Sequence, residues 1–194
     1  MDQKIDEDIV FKNATPEEIQ GEERVFESCR FLNCDLAYAE LSYQLFINCE
    51  FDNCNLSLTK IANSGFQNVS FRNCKITGVN FSSCKDFSFS VYFEKCLLNY
   101  TIFHKKKLKG TKFIESSLTE ADFTEADLTN AVFKKCDLNR TIFSRTVLKG
   151  ADFITAYNFN IDPENNTLAK AKFHSDSLAG LLFKYNIIIE NDFN

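Results

Sequence analysis

The 194-residue chain contains no tryptophan, one methionine and two histidines, and it has only 6 glycines and 2 prolines. So little glycine and proline excludes a collagen-like chain and a low-complexity disordered one. No apolar run approaches the roughly 20 residues that a membrane span requires. The opening Met1-Asp2-Gln3-Lys4 is polar, so we expect no secretory signal, a cytoplasmic location and no membrane partner.

Phenylalanine and cysteine are abundant instead, at 21 and 8 residues. In a reducing cytosol the cysteines are expected to be free thiols. The net charge of −5 belongs to residues 1–24, and the rest of the chain carries 19 acidic and 19 basic residues. This neutral body has no general field that would attract nucleic acid. The basic run 104–109 is more typical of a solvated face than of a phosphate-binding patch, so we expect no direct nucleic-acid binding.

Large apolar residues recur at every fifth position in two series, with 12 and 13 members. On an α-helix this spacing would spread them around all sides, and on a flat strand it would alternate faces. A chain that turns a corner after each short extended piece can instead point all of them at one axis. The two series are Phe26, Phe31, Leu36, Leu41, Phe46, Phe51, Leu56, Ile61, Phe66, Phe71, Ile76, Phe81, and Phe93, Leu98, Phe103, Leu108, Phe113, Leu118, Phe123, Leu128, Phe133, Leu138, Phe143, Leu148, Phe153.

The residue identities within the series repeat every 20 positions, so the pattern predicts a four-sided solenoid in which residues 20 apart stack. The position two before each central residue is small in 22 of 25 cases, as dense packing inside a coil requires. The exceptions are Arg24, Gln44 and Lys106, and each is predicted to mark an end or a local distortion. Between the series the frame slips by two residues near 84–91, where we expect a bulge or a kink.

The repeat resembles that of the pentapeptide repeat family, whose pattern is a small residue, Asp or Asn, Leu or Phe, Ser or Thr, then any residue. Clear copies are Ala121-Asp122-Phe123-Thr124-Glu125 and Ala126-Asp127-Leu128-Thr129-Asn130. The resemblance implies an all-β, right-handed quadrilateral parallel β-helix, in agreement with the four-sided interpretation. We expect an acidic N-terminal cap at 1–23, the β-helix at 24–159, and a last coil with a C-terminal helix and strand at 160–194.

The structural core is predicted to be built from inward phenylalanines. These are Phe26, Phe31, Phe46, Phe51, Phe66, Phe71, Phe93, Phe103, Phe113, Phe123, Phe133, Phe143 and Phe153. All eight cysteines occupy the small inward position, where cysteine behaves as a small apolar residue. Their spacings of 5 and 20 are unlike the short pairs of zinc sites.

Candidates for catalysis are few. The two histidines, His104 and His174, stand in no nucleophile motif, and there is no phosphate-binding glycine loop. We therefore expect no catalytic residues, no metal, no cofactor and no enzyme. The carboxylates near Glu115 and Glu125 fit either a DNA-like acidic surface or a ladder of ion pairs. The 20-residue rule favours the ladder, because it places Glu115 beside Lys135 and Glu125 beside Arg145.

Near the C-terminus, Leu178, Leu181, Leu182 and Tyr185 follow the spacing of an apolar helix stripe, and Ile187-Ile188-Ile189 reads as a short strand. This ending is similar to that of the pentapeptide repeat proteins that protect bacterial DNA gyrase from quinolones, in which a C-terminal helix and strand form a homodimer. The resemblance implies a dimer interface at Leu178, Leu181, Leu182, Ile187, Ile188 and Ile189. The alternative is that the stripe only caps its own coil.

Two functions stay open at this point. The first is a non-catalytic protein-binding scaffold whose partner is unknown. The alternative, implied by the resemblance, is a DNA mimic that binds a type II topoisomerase such as DNA gyrase and confers quinolone resistance. The neutral body of the chain favours the first.

Overall fold

The computed structural model describes residues 4–21 and 23–190, which form a four-sided parallel β-helix. The predicted fold class is confirmed, and no helix in the described part is long and apolar enough to cross a membrane. Wall 1 begins with the strands β1 Lys4–Glu7, β3 Arg24–Glu27, β5 Leu45–Ile47 and β7 Gly65–Gln67. Wall 2 holds β2 Val10–Lys12, β4 Arg30–Leu32, β6 Glu50–Asp52, β8 Val69–Arg72, β9 Val91–Glu94, β10 Lys112–Ile114 and β11 Val132–Lys134.

The other two walls consist mostly of isolated parallel bridges between residues 20 apart, such as Asp35 with Asn55 on wall 3 and Glu40 with Lys60 on wall 4. Among the described residues, three short 3₁₀ helices occupy Phe81–Ser83, Ser175–Leu181 and Phe183–Tyr185, and α1 spans Pro16–Ile19. After β7, wall 1 is continued by isolated bridges, beginning with Lys107 to Asp127.

The corners explain why the chain turns after each pentad. The residue two after the central one has a positive φ at most corners, for example 54° at Asn33, 55° at Asn53 and 53° at Asn73. Asparagine tolerates this left-handed conformation better than other residues that have a Cβ atom. Its amide also bridges successive coils, since Asn53 Nδ2 donates to Asn33 Oδ1 at 2.7 Å.

The core is a pair of aromatic columns. On wall 2, nine rings stack with centroids 4.3–5.4 Å apart: Phe11, Phe31, Phe51, Phe71, Phe93, Phe113, Phe133, Phe153 and Phe173. The second column runs along wall 1 as Phe26, Phe46 and Phe66, and then crosses to wall 4 as Phe81, Phe103, Phe123 and Phe143. All thirteen phenylalanines predicted for the core are buried.

The solenoid begins earlier than the predicted boundary at residue 24. Strands β1 and β2 pair in parallel with β3 and β4, so residues 4–12 belong to the first coil and not to a separate cap. The pentad pattern misses this coil because Asp6 stands at an inward position. Its carboxylate binds the guanidinium of Arg24 at 2.7 Å, with both side chains nearly buried.

The C-terminal segment also differs from the expectation. In place of an α-helix and a strand, the described residues form the two 3₁₀ helices, and 187–189 pair with no strand. Gly180 packs against the Phe159 backbone so closely that an added Cβ would lie 2.3 Å from the carbonyl oxygen. This contact lets the 3₁₀ helix Ser175–Leu181 close the end of the solenoid, where Leu181 packs on the core.

Candidate functional site

The cysteines line the inside of the solenoid as buried free thiols. Each Sγ donates to a backbone carbonyl of the preceding coil, as Cys136 does to Phe113 O at 3.2 Å. Burial raises the pKa of Cys49 and Cys136 to about 12, so these thiols stay protonated near neutral pH. No cluster of metal-ligating side chains occurs within residues 4–21 and 23–190.

The two histidines are far from any arrangement for nucleophilic catalysis. His104 lies half-buried on wall 4, and the His174 Nδ1 accepts a hydrogen bond from the Asp176 N–H at 3.3 Å. His174 therefore acts as the N-cap of the 3₁₀ helix Ser175–Leu181.

The interior offers no room for a substrate in the region around Phe66, Phe71 and Phe81. The void between these rings has a volume of about 10 Å³. Such a space holds about one water molecule at most. Any partner of this part of the coil must therefore be recognised from outside.

Several carboxylates on the outer walls pair with bases of neighbouring coils. Glu125 lies 2.8 Å from the Arg145 guanidinium and 3.6 Å from the Lys105 ammonium, and Glu115 lies 3.2 Å from Lys135 Nζ. The bond from Arg145 lowers the pKa of Glu125, and the bond from Lys135 lowers that of Glu115. These contacts form the predicted ladder of ion pairs rather than a continuous acidic surface.

The frame slip is the main interruption of the walls. Stacked rings are 20 residues apart elsewhere, but Phe71 stacks on Phe93 and Phe81 on Phe103 across 22 residues. The two extra residues lie in 85–90, which we call the slip loop. Its ends are attached to wall 1, since Lys85 N donates to Ser64 O and Ser90 N donates to Phe66 O, both at 2.9 Å.

On the inner side of the slip loop, the side chains of Phe89 and of Lys106, which belongs to the next coil, fill the interior of the solenoid. The Phe89 ring makes edge contacts with the rings of Phe66 and Phe81, with each pair of centroids 6.3 Å apart. Lys106 is only 1% exposed, and its Nζ lies 4.4 Å from the centroid of the Phe89 ring. The ammonium donates to Cys84 O at 2.7 Å and pairs with the Asp86 carboxylate at 2.9 Å.

This arrangement leaves the Phe87 side chain on the outside of the solenoid, where it is 78% exposed. It lies between Asp86, which Lys106 holds, and Ser88, whose φ of 55° is left-handed. The sequence marked Lys106 as irregular, but it did not reveal the loop conformation or the exposure of Phe87.

Arg24 and Gln44, the other two irregular positions, stand in the same inward column as Lys106 and stabilise the first coil. The Arg24 guanidinium donates to the carbonyls of Glu18 and Ile19 at 2.9 and 3.1 Å, so it anchors α1. Gln44 is buried, and its Oε1 accepts from Arg24 N–H at 2.9 Å. All three exceptions are therefore buried polar groups. Lys106 lies at the frame slip and Arg24 pairs with the first coil, whereas Gln44 stands next to β5, which keeps the 20-residue register on both sides, so the expectation of an end or a distortion is wrong for Gln44.

The C-terminal segment is attached by Lys184, whose Nζ lies 2.6 Å from an Asp162 carboxylate oxygen and 2.7 Å from a Glu164 oxygen. Beyond this attachment the segment presents apolar surface. Five of the six residues predicted for a dimer interface are exposed, and the sixth, Leu181, is partly buried against the core; the exposed five are Leu178, Leu182, Ile187, Ile188 and Ile189.

Family models describe the same repeat. One described as pentapeptide repeat region matches residues 25–101, and one described as pentapeptide repeats (8 copies) matches 91–130, 107–145 and 126–156. No curated protein sequence matches the chain.

Two solved structures resemble the chain over nearly its whole length. Both are trypsin-treated variants of QnrB1, a plasmid-mediated fluoroquinolone resistance protein. One has 17% identity and a TM-score of 0.61, with 97% of this chain and 100% of that chain covered. The other has 17% identity and a TM-score of 0.60, with 97% and 98% covered. At this identity the likeness shows the shared fold.

Proposed function

Because the chain belongs to the pentapeptide repeat family, we propose that it acts as a non-catalytic protein-binding scaffold. The observation that carries this proposal is the division between inside and outside. The inward positions are filled by stacked rings and small residues, whereas the walls present regularly spaced side chains on a stiff frame. Reduced thiols inside the coil suit a cytoplasmic location.

The experiment is affinity capture with the full chain, followed by reconstitution of the complex from purified components. A scaffold predicts one protein that binds saturably and in a fixed ratio. Turnover of a substrate by the purified chain, or the absence of any saturable protein partner, would contradict the proposal.

A homodimer through the C-terminal segment is part of the proposal. The exposed Leu182 and Ile188, the latter 90% exposed, support it because monomers rarely leave such apolar surface contiguous. Light scattering should give twice the chain mass of 22.3 kDa. Ile188→Asp should yield the monomer, whereas Leu97→Asp, at a 48% exposed position on wall 3 in the middle of the solenoid, should leave the dimer intact. A wild-type monomer at micromolar concentration would rule out this interface.

Binding to a type II topoisomerase as a DNA mimic is the second candidate function. The observation that favours it is the acidic first coil, where Glu7, Asp8, Glu17, Glu18 and Glu23 are all exposed. The paired carboxylates of the remaining walls weigh against it.

A supercoiling assay with purified DNA gyrase, with and without a fluoroquinolone, tests this candidate. A mimic should inhibit or protect the enzyme, and the double variant Glu17→Lys with Glu18→Lys should lose the effect. If the wild-type chain has no effect at any concentration, the scaffold serves another partner.

A further inference from the structure

From the slip loop onward, most charged residues of wall 1 are lysines. Lys85 and Lys107 are 22 residues apart, the spacing across the slip, so they occupy the same row on successive coils. Further along the wall, Lys109 and Lys149 share the row that follows the central residue, and Lys170 stands at the corner towards wall 2. We call these five residues the lysine wall.

The positive charge of the lysine wall is largely uncompensated. The slip loop and the following coils of wall 1 contain two aspartates, and both are already paired: Asp86 with Lys106 and Asp127 with Lys109 at 3.2 Å. No carboxylate in residues 4–21 and 23–190 lies within 4.0 Å of the ammonium groups of the other four lysines of the wall, Lys85, Lys107, Lys149 and Lys170. This contrasts with wall 4, where the ion-pair ladder cancels the charge.

An exposed aromatic ring stands at the edge of this surface. Phe87 is 78% exposed, yet its neighbours on both sides are held, Asp86 by Lys106 and Phe89 by the rings of Phe66 and Phe81. Because its neighbours are held, the backbone at Phe87 has little conformational freedom to lose on binding. Deleting two residues from the slip loop would restore the 20-residue period, so the fold itself does not require this ring.

The combination of one aromatic anchor and a basic field selects the kind of partner. Proteins that bind single-stranded nucleic acid stack successive bases on several aromatic rings, whereas Phe87 is the one exposed aromatic ring among the described residues of the slip loop and the lysine wall. Protein interfaces instead concentrate binding energy in a central anchor and surround it with charges that steer association. The arrangement therefore favours a protein.

We propose that the slip loop and the lysine wall form the docking surface for an acidic face of a protein partner, with Phe87 inserted into an apolar pocket of that face. This inference rests on the proposed scaffold function and assigns it to one wall.

The test places a photo-crosslinking residue on the surface of the full chain in its own cells. Phe87→p-benzoylphenylalanine probes the anchor, and Tyr38→p-benzoylphenylalanine is the matched control, since Tyr38 is 72% exposed on wall 3. We expect a discrete protein adduct from position 87 that is absent from position 38. Charge reversal by Lys107→Glu with Lys149→Glu should reduce its yield at least fivefold, while Lys75→Glu on wall 3 should not.

The partner identified by the adduct is then purified and titrated with the chain. Phe87→Ala should weaken binding at least tenfold, Tyr38→Ala less than twofold, and the crosslinked peptide of the partner should be rich in Asp and Glu. Affinity should fall as salt rises, because exposed charges are screened.

Three results would overturn the inference: a nuclease-sensitive adduct, an adduct with a second copy of the chain, or equal yields from positions 87 and 38. Specific protein adducts from another wall, with none from position 87, would leave the scaffold function in place and reject this wall. No saturable protein partner for the intact chain would reject both.

Discussion

The buried ammonium of Lys106 should be the group that holds the frame slip together. We choose Lys106→Met as the perturbation, because methionine keeps the length and the apolar stem but cannot donate. It leaves Cys84 O without its 2.7 Å donor, which costs about 1–3 kcal/mol. It also removes the cation 4.4 Å from the Phe89 ring centroid, a loss of roughly 0.5–2 kcal/mol.

Two further effects set the net value for Lys106→Met. The ion pair with Asp86 contributes at most about 1 kcal/mol, because that carboxylate is largely exposed and can be rehydrated. Methionine also avoids the desolvation of a buried ammonium, which offsets part of the loss. We therefore expect the free energy of unfolding to fall by about 2 kcal/mol.

Equilibrium unfolding in guanidinium chloride measures this change, and hydrogen exchange locates it. Exchange in Lys106→Met should accelerate in the slip loop and its neighbouring coils but not in wall 2 near β11. The control Lys107→Met changes the exposed neighbour and should alter the free energy of unfolding by less than about 0.5 kcal/mol. If Lys106→Met stays within that limit or is more stable than wild type, the ammonium does not hold the slip.

Other predictions follow from the core and the ends. Phe123→Ala removes a fully buried ring stacked 5.0 Å from Phe103 and should cost roughly 3–5 kcal/mol of unfolding free energy in the same titration; a loss under about 1 kcal/mol would refute the column. The eight thiols should resist an aromatic disulfide reagent in the native state and all react in denaturant, whereas rapid native reaction would contradict their burial. The pKa values of Asp162 and Glu164 are lowered by the bond to Lys184, so their stabilisation of the C-terminal segment is present at neutral pH and is lost as acid protonates them. The protection of the amides at 183–185, measured as the ratio of the intrinsic to the observed exchange rate at each pH, should therefore be smaller at pH 3 than at pH 7, and Glu164→Gln should weaken this dependence; equal protection at both values would count against the attachment.

Much of the fold follows from the sequence because the repeat is a positional rule. A spacing of five requires corners, and an identity period of 20 requires four sides, so Phe113 and Phe133 had to stack. The same rule pairs Glu115 with Lys135, and the two lie 3.2 Å apart. The rule fails at the first coil, where Asp6 occupies an inward position and is stabilised by Arg24, a partner 18 positions away.

The C-terminal segment escaped prediction for a different reason. The spacing of Leu178 and Leu182 is that of an α-helix, but the contact of Gly180 with the Phe159 backbone and the attachment of Lys184 accompany 3₁₀ geometry. Isoleucine is a residue type typical of strands, which is why the sequence predicts one at 187–189. A strand forms only with a partner, however, and none of the described residues pairs with Ile188.

The sequence alone therefore determined the coil, its walls and its packed interior, because each of these depends on the five-residue spacing that recurs in every repeat. Tertiary structure decided what happens where the period breaks. Two inserted residues have no prescribed position, so the contacts of Phe89 with Phe66 and Phe81 and the ammonium of Lys106 settle the path of the slip loop. Those contacts leave Phe87 exposed on wall 1, whose following coils carry Lys107 and Lys149.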